Sequence, residues 1–204
     1  MIAMLRINIV SLIKKPKLLY ILTNIICWGD KVNMNGPEFV QSAFRQLRRE
    51  YEADLTGLTQ EQLAWSPGDE ANPIGAIHWH CMRILDGGIH RITGTPNIFE
   101  RDGWQKRLRL DDAAAGSLLS DDTKGITKEL SISDTNEYGK QVWDELTEYL
   151  ATLTDEELDR PVDPANPRRT VAQSLSYFSL QHVGWHLGEI KYIRGLQGIN
   201  ATHG

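Results

Sequence analysis

Four stretches of the chain repeat apolar residues at intervals of three and four, the spacing that lays one apolar stripe along a helix. Val40, Phe44, Leu47, Tyr51 and Leu55 define a first helix from about Asn35 to Leu58, opened by Gly36-Pro37-Glu38 with a proline in the first turn and an early acid. A second runs from about Pro73 to Thr93 and stops at Gly94-Thr95-Pro96. Val142, Trp143, Leu146, Leu150 and Leu153 mark a third, from roughly Asn136 to Leu153. The fourth is capped by Thr170 and continues to about Gly195.

Between them, Thr59-Gln60-Glu61-Gln62 matches a capping box and starts a short helical turn that stops near Ser66-Pro67-Gly68. From Asn97 to Asn136 the periodicity is broken by Gly103, Gly116, Gly125 and polar clusters, which predicts a long crossover with short helical pieces. Pro161 to Pro167 breaks the chain again, and no alternating strand pattern of useful length is present. The fold class expected is therefore all-α. Leu55-x-x-Leu58-Thr59-x-Glu61-x-Leu63 is echoed by Leu150-x-x-Leu153-Thr154-x-Glu156-x-Leu158, so two similar units each hold two long helices. Their sum is a four-helix bundle with long crossover connections, an architecture whose core commonly carries metal ligands from facing helices.

With 204 residues and 41% hydrophobic content, the chain suits one soluble domain, placed at residues 35–198 with a flexible tail at 199–204. Residues 1–34 read as an extension outside the fold. Lys14-Lys15-Pro16-Lys17 followed by Leu18 to Trp28 has the outline of a signal peptide, yet the apolar run is well short of the roughly 20 residues that span a bilayer. No small-x-small cleavage site follows and Cys27 lacks the small residue that precedes a lipid-modified cysteine, so stable membrane insertion is not expected. Arg6, Lys14, Lys15, Lys17 and Lys31 outweigh Asp30 in this extension by four charges, so with a net charge of −5 for the whole chain the remainder carries −9. An acidic body argues against nucleic acid as a partner, since that binding is driven by Lys and Arg meeting phosphates. Cys27 and Cys81 are the only cysteines, which argues against a disulfide framework and for a cytoplasmic protein. Cys81 reads as small core packing on an apolar helical face rather than a reactive thiol.

The candidate chemistry lies in the fourth helix. His182 and His186 are four residues apart, one turn above each other on one face, which is the geometry of a metal clamp. At about 100° per residue the wheel places both, with Glu189, in the middle of the stripe formed by Val171, Leu175, Phe178, Ile193 and Leu196. Polar groups buried there need partners, each costing about 1–3 kcal/mol when left without one. A catalytic metal normally takes a third protein ligand. His203 lies in the tail and His90 projects away from the stripe of the second helix, which leaves His78 and His80 on opposite sides of that stripe. Periodicity slightly favours His78 and leaves the choice open. Trp79, Trp185, Phe178 and Tyr177 flank the histidines as pocket, core or interface residues, and Trp104 belongs either to a pocket mouth or to packing.

Leu58-Thr59-x-Glu61-x-Leu63-x-Trp65-x-Pro67, Asn72 to His80, His182-x-x-x-His186 and Gly188-Glu189-Ile190-x-x-Ile193-Arg194-Gly195-Leu196-x-Gly198 together resemble the DinB-like superfamily over residues 37 to 198. The resemblance implies His80, His182 and His186 as metal ligands and leaves His78 as a neighbour. Such a neutral set suits Zn²⁺, Ni²⁺ or Fe²⁺ with a position open for water or substrate. Glu189, one turn after His186, is expected to orient an imidazole, accept a proton or pair with Arg194, with orientation favoured. The resemblance further implies a transferase or isomerase that uses a low-molecular-weight thiol such as bacillithiol or mycothiol on a small-molecule electrophile. A homodimer is the oligomeric state expected. A non-catalytic metal-binding stress-response module and a metal-dependent hydrolase are the alternatives.

Overall fold

The computed structural model describes residues 34–110 and 130–199, and the residues from Gly36 onward form a contact unit of their own. The expectations about residues 1–33, Cys27, Gly116, Gly125 and His203 lie outside the described residues. Helix α1 spans Gly36–Leu55 and buries Phe44, Leu47, Tyr51 and Asp54. A short α2, Gln60–Ala64, starts on the Thr59 capping box: Thr59 Oγ1 accepts from the Gln62 amide, while Gln62 Oε1 accepts from the Thr59 amide. Helix α3, Ile74–Thr93, begins after Pro73 and ends at Gly94, whose left-handed φ of 74° lets its N–H reach the His90 carbonyl at 2.8 Å.

Two single-turn helices follow, α4 (Ile98–Arg101) and α5 (Trp104–Arg107), the short helical pieces expected of the crossover. Asp86 on α3 organises this return. Its buried carboxylate accepts the amides of Ile98 and Phe99 at 2.8 and 3.0 Å and the Tyr138 hydroxyl at 2.8 Å. Helix α6, Ile132–Ala151, is capped by Ser131 and starts one turn before the position expected from periodicity. A short α7, Asp155–Asp159, carries the Thr154 cap.

The all-α fold class expected from the sequence holds, with one small addition. Among the described residues β1 (Pro161–Asp163) and β2 (Asn166–Thr170) pair antiparallel, with Pro161 opposite Thr170. The strands are short and largely exposed, so they carry no apolar alternation that periodicity could register.

From Val171 to Leu196 the chain is one continuous helical run that changes its winding. It consists of α8 (Val171–Gln173, with a Thr170/Gln173 capping box), a π-helical stretch over Ser174–Gln181, and α9 (His182–Leu196). Helix α3 packs against α6, the π stretch and α9, while α1 packs against α6 and α9, so the four long helices enclose one core. The π stretch overturns one detail of the wheel. A helix bonded i to i+5 turns through less than about 100° per residue, so by His182 the following face has lagged behind its α-helical position. Val183, Leu187, Ile190 and Ile193 consequently form the buried stripe of α9, Phe178 and Leu196 are exposed, and His182 and His186 lie at its edge rather than its centre.

No helix among the described residues is long and apolar enough to cross a membrane.

Candidate metal centre

Helix α3 is buried on all sides over Ala76–Met82, so each of its side chains there faces some neighbouring element. His80 faces the fourth helical run. Its Nε2 lies 2.8 Å from His182 Nε2, and His186 Nε2 lies 3.2 Å from the same atom. The ligand-capable atoms of the three residues are all within 4.8 Å of one another. The i, i+4 spacing stacks the two α9 rings with centroids 4.8 Å apart, and the His80 ring closes the group at 5.1 and 4.9 Å.

Three imidazole nitrogens pointing at one locus make a poor hydrogen-bond network, because each neutral ring has one N–H to give and the converging lone pairs repel. A cation removes that conflict. At the usual metal–nitrogen length of about 2.0–2.1 Å, two ligand nitrogens stand about 2.9 Å apart at a right angle and about 3.3 Å apart at the tetrahedral angle. The separations of 2.8 and 3.2 Å fit that range closely. Partial burial, and next the proximity of His186, hold the His182 pKa below its ordinary value, which keeps a lone pair free at neutral pH. His80 is buried while His182 and His186 are half-buried, so the group has a dry floor and an open outer side.

Glu189 stands behind the cluster. Its Oε2 is 2.6 Å from His186 Nδ1, so with Nε2 turned to the cluster Nδ1–H donates to the carboxylate and fixes tautomer and ring plane. Arg194, the other partner open to Glu189, turns inward instead: its Nη1 donates to the Asp54 carbonyl at 2.5 Å, and its Nε lies 3.4 Å from Asp54 Oδ1. Lys191 adds ion pairs to Glu50 at 2.8 Å and to the buried Asp54 at 3.6 Å. Helix α9 is thereby locked to α1 in rotation, which sets where the two imidazoles point. The Arg194–Asp54 contact was not foreseen in the sequence; an arginine inside the apolar register of a helix end was the available signal.

His78 points the other way. Its Nδ1 is hydrogen-bonded with the Tyr51 hydroxyl at 3.2 Å, and its Cε1 fills the space where Gly139 of α6 has no Cβ. Burial pushes its pKa down to about 4. His78, Tyr51 and Trp143 also line a cavity of about 560 Å³ between α1 and α6, away from the three-histidine group. Cys81 is fully buried and its thiol is pushed up to about 12 by desolvation, which makes it an inert core residue. Trp79 packs in the core against Phe99 and Tyr138, as does Trp104, whose Nε1 donates to Gln141. Tyr177, Phe178 and Trp185 are exposed beside the cluster, the Trp185 ring 6.5 Å from that of His182. His90 is exposed and faces the Thr95 carbonyl.

The family model of the DinB superfamily matches residues 43–190, a span that contains all three clustered histidines. The chain belongs to the DinB superfamily. A crystal structure of a conserved protein from Enterococcus faecalis is similar in fold to this DinB-superfamily chain, with a TM-score of 0.67 and 17% identity over 80% of this chain and 97% of that one. Among curated proteins no significant match is found.

Proposed function

We propose that this DinB-superfamily chain is a cytoplasmic metal-dependent enzyme in which His80, His182 and His186 hold a divalent cation, Zn²⁺, Ni²⁺ or Fe²⁺, through their Nε2 atoms. The convergence of those three nitrogens at 2.8 and 3.2 Å is the observation that carries the reading. Three neutral ligands leave at least one coordination position for chemistry, and the half-exposure of His182 and His186 favours an open catalytic site over a closed structural one. The reaction we assign is transfer or isomerisation by a low-molecular-weight thiol acting on a small-molecule electrophile. When bound, the cation supplies Lewis acidity that favours the thiolate form of the thiol.

The residues of the chain divide the remaining work. His80 fixes the ligand set from a buried helix, where its ring has little freedom to swing. Glu189 holds His186 through Nδ1 and raises its basicity, a positioning role. That bond points the carboxylate at the back of a ligand ring, which supports orientation over direct proton abstraction and weakens the hydrolase alternative.

Metal analysis of the untagged protein, followed by thiol-consumption assays with several thiols and a broad electrophile, tests both levels. Stoichiometric metal in the wild type and its loss in His182→Ala and His186→Ala are expected; full metal in both variants overturns the ligand set. Thiol consumption that depends on the metal is expected of the loaded protein. Metal binding with no such consumption overturns the transferase assignment in favour of the non-catalytic module.

A further inference from the structure

The cavity between α1 and α6 takes no part in the three-histidine group, and its two walls differ in chemistry. Its volume of about 560 Å³ lies within the range of about 300–1,000 Å³ that small-molecule sites occupy. The inner wall is buried and mostly aromatic or apolar: the rings of Tyr51 and Trp143 stand 5.9 Å apart, and Leu58 and His78 complete it. The outer wall is charged, with the cations Arg48 and Lys140 against the single anion Glu52.

The second observation lies in the inner wall. Trp143 Nε1 and His78 Nε2 are enclosed, in residues 3% and 4% exposed, and neither has a hydrogen-bond partner among the described residues. The Thr135 backbone acts on the His78 ring without supplying that bond. Buried polar atoms in folded proteins are nearly always paired, so two of them in the wall of one cavity call for a reason. An indole nitrogen can only donate, while Nε2 of a neutral imidazole donates or accepts according to its tautomer. A hydroxyl group suits both, because it accepts as well as donates.

The two cations of the outer wall differ in freedom. Arg48 is pinned through all three of its nitrogens, to Glu52 at 2.7 Å, to Asp144 at 2.7 Å and to Thr147 at 3.2 Å. Lys140, with its side chain 71% exposed, reaches Asp144 and keeps ammonium hydrogens for an anion arriving at the mouth.

We propose that this cavity binds a small aromatic carboxylic acid that carries a hydroxyl group. The ring body lies against Tyr51, Leu55 and Leu58, and the carboxylate meets Lys140. The hydroxyl turns to the nitrogens of Trp143 and His78, which a small rotation of either ring brings to the cavity surface. The site stands whatever the three-histidine group binds.

Calorimetric titration of the full chain with 6-hydroxy-2-naphthoate tests it. One-to-one binding with a dissociation constant below about 1 mM is expected, and it should persist in His182→Ala. 2-Naphthoate, which lacks the hydroxyl, and 2-naphthol, which lacks the carboxylate, should each bind about five-fold more weakly. Lys140→Glu should weaken the hydroxylated acid by about five-fold or more with helix content unchanged. Trp143→Phe keeps an aromatic ring and removes the N–H, so it should weaken the hydroxylated acid by a similar factor and leave 2-naphthoate unaffected. No binding below that limit, or an unchanged constant for the hydroxylated acid in either variant, overturns the proposal.

Discussion

His78 and His80 sit two residues apart on one buried helix and live in opposite worlds. His78 looks toward α1 and α6, where Tyr51 supplies a hydrogen bond and the missing Cβ of Gly139 supplies room. His80 looks toward α9, where two more imidazoles converge on its Nε2. The first environment desolvates a single ring and gives its Nδ1 a hydroxyl; the second gathers three rings whose nitrogens face one another. Burial alone does not make a histidine a ligand. What distinguishes them is whether the surrounding groups give hydrogens or compete for them.

The contrast is broken most directly by removing each ring in turn. His80→Ala should lower metal affinity by at least three orders of magnitude, because it removes one of the three clustered imidazoles. His78→Ala should do the reverse, keeping stoichiometric metal and losing about 2–4 kcal/mol of stability through a cavity and an unpaired Tyr51 hydroxyl. Metal loss in the second variant or full metal in the first would exchange the roles of the two histidines.

A pH series sharpens the same contrast. The folded-state pKa of His78 is depressed to about 4 from an ordinary value of 6.5, so between those values the unfolded chain binds more protons than the folded one. Stability is thus fully present above pH 6.5 and falls as pH drops toward 4, by about 3 kcal/mol from this residue. Glu157 and Asp144, also depressed by their cationic partners, act in the same direction below their ordinary values of 4.5 and 3.8, at and beyond the acid end of that range. Denaturant midpoints of wild type and His78→Gln, which keeps an acceptor for Tyr51 but does not titrate, isolate the histidine: the variant should lose the part of the slope above pH 5. Equal slopes would place the titration elsewhere.

The smallest effect belongs to Glu189. Glu189→Gln keeps a hydrogen-bond acceptor for His186 Nδ1–H but removes the charge, and the metal dissociation constant should rise by about 10–100-fold without change in stoichiometry. An unchanged constant would reduce the 2.6 Å contact to a surface pairing.

Much of this was legible in the residues. Thr59 with Gln62, and Thr170 as a cap, mark helix starts because a side-chain oxygen three residues from an amide closes a ring of fixed size. The His182/His186 spacing reads as a shared face because helical geometry makes it one. The choice between His78 and His80 was not legible from periodicity, for a reason the fold makes plain: over Ala76–Met82 α3 is buried all round and has no polar edge from which a direction could be measured. The winding of Ser174–Gln181 was equally silent, since no local pattern distinguishes i+5 from i+4 bonding, and a constant angle carried through it rotates every later side chain out of place. Family resemblance carried information that the wheel did not, in singling out His80, whereas the one-turn spacing from His186 already set Glu189 beside that ring.

Asp86 concentrates two attachments in one side chain. Its carboxylate fastens the first turn of α4 and the Tyr138 hydroxyl to α3 less than two turns beyond His80. One carboxylate thus holds two returning elements to the helix that carries His80, and its loss would free both at once.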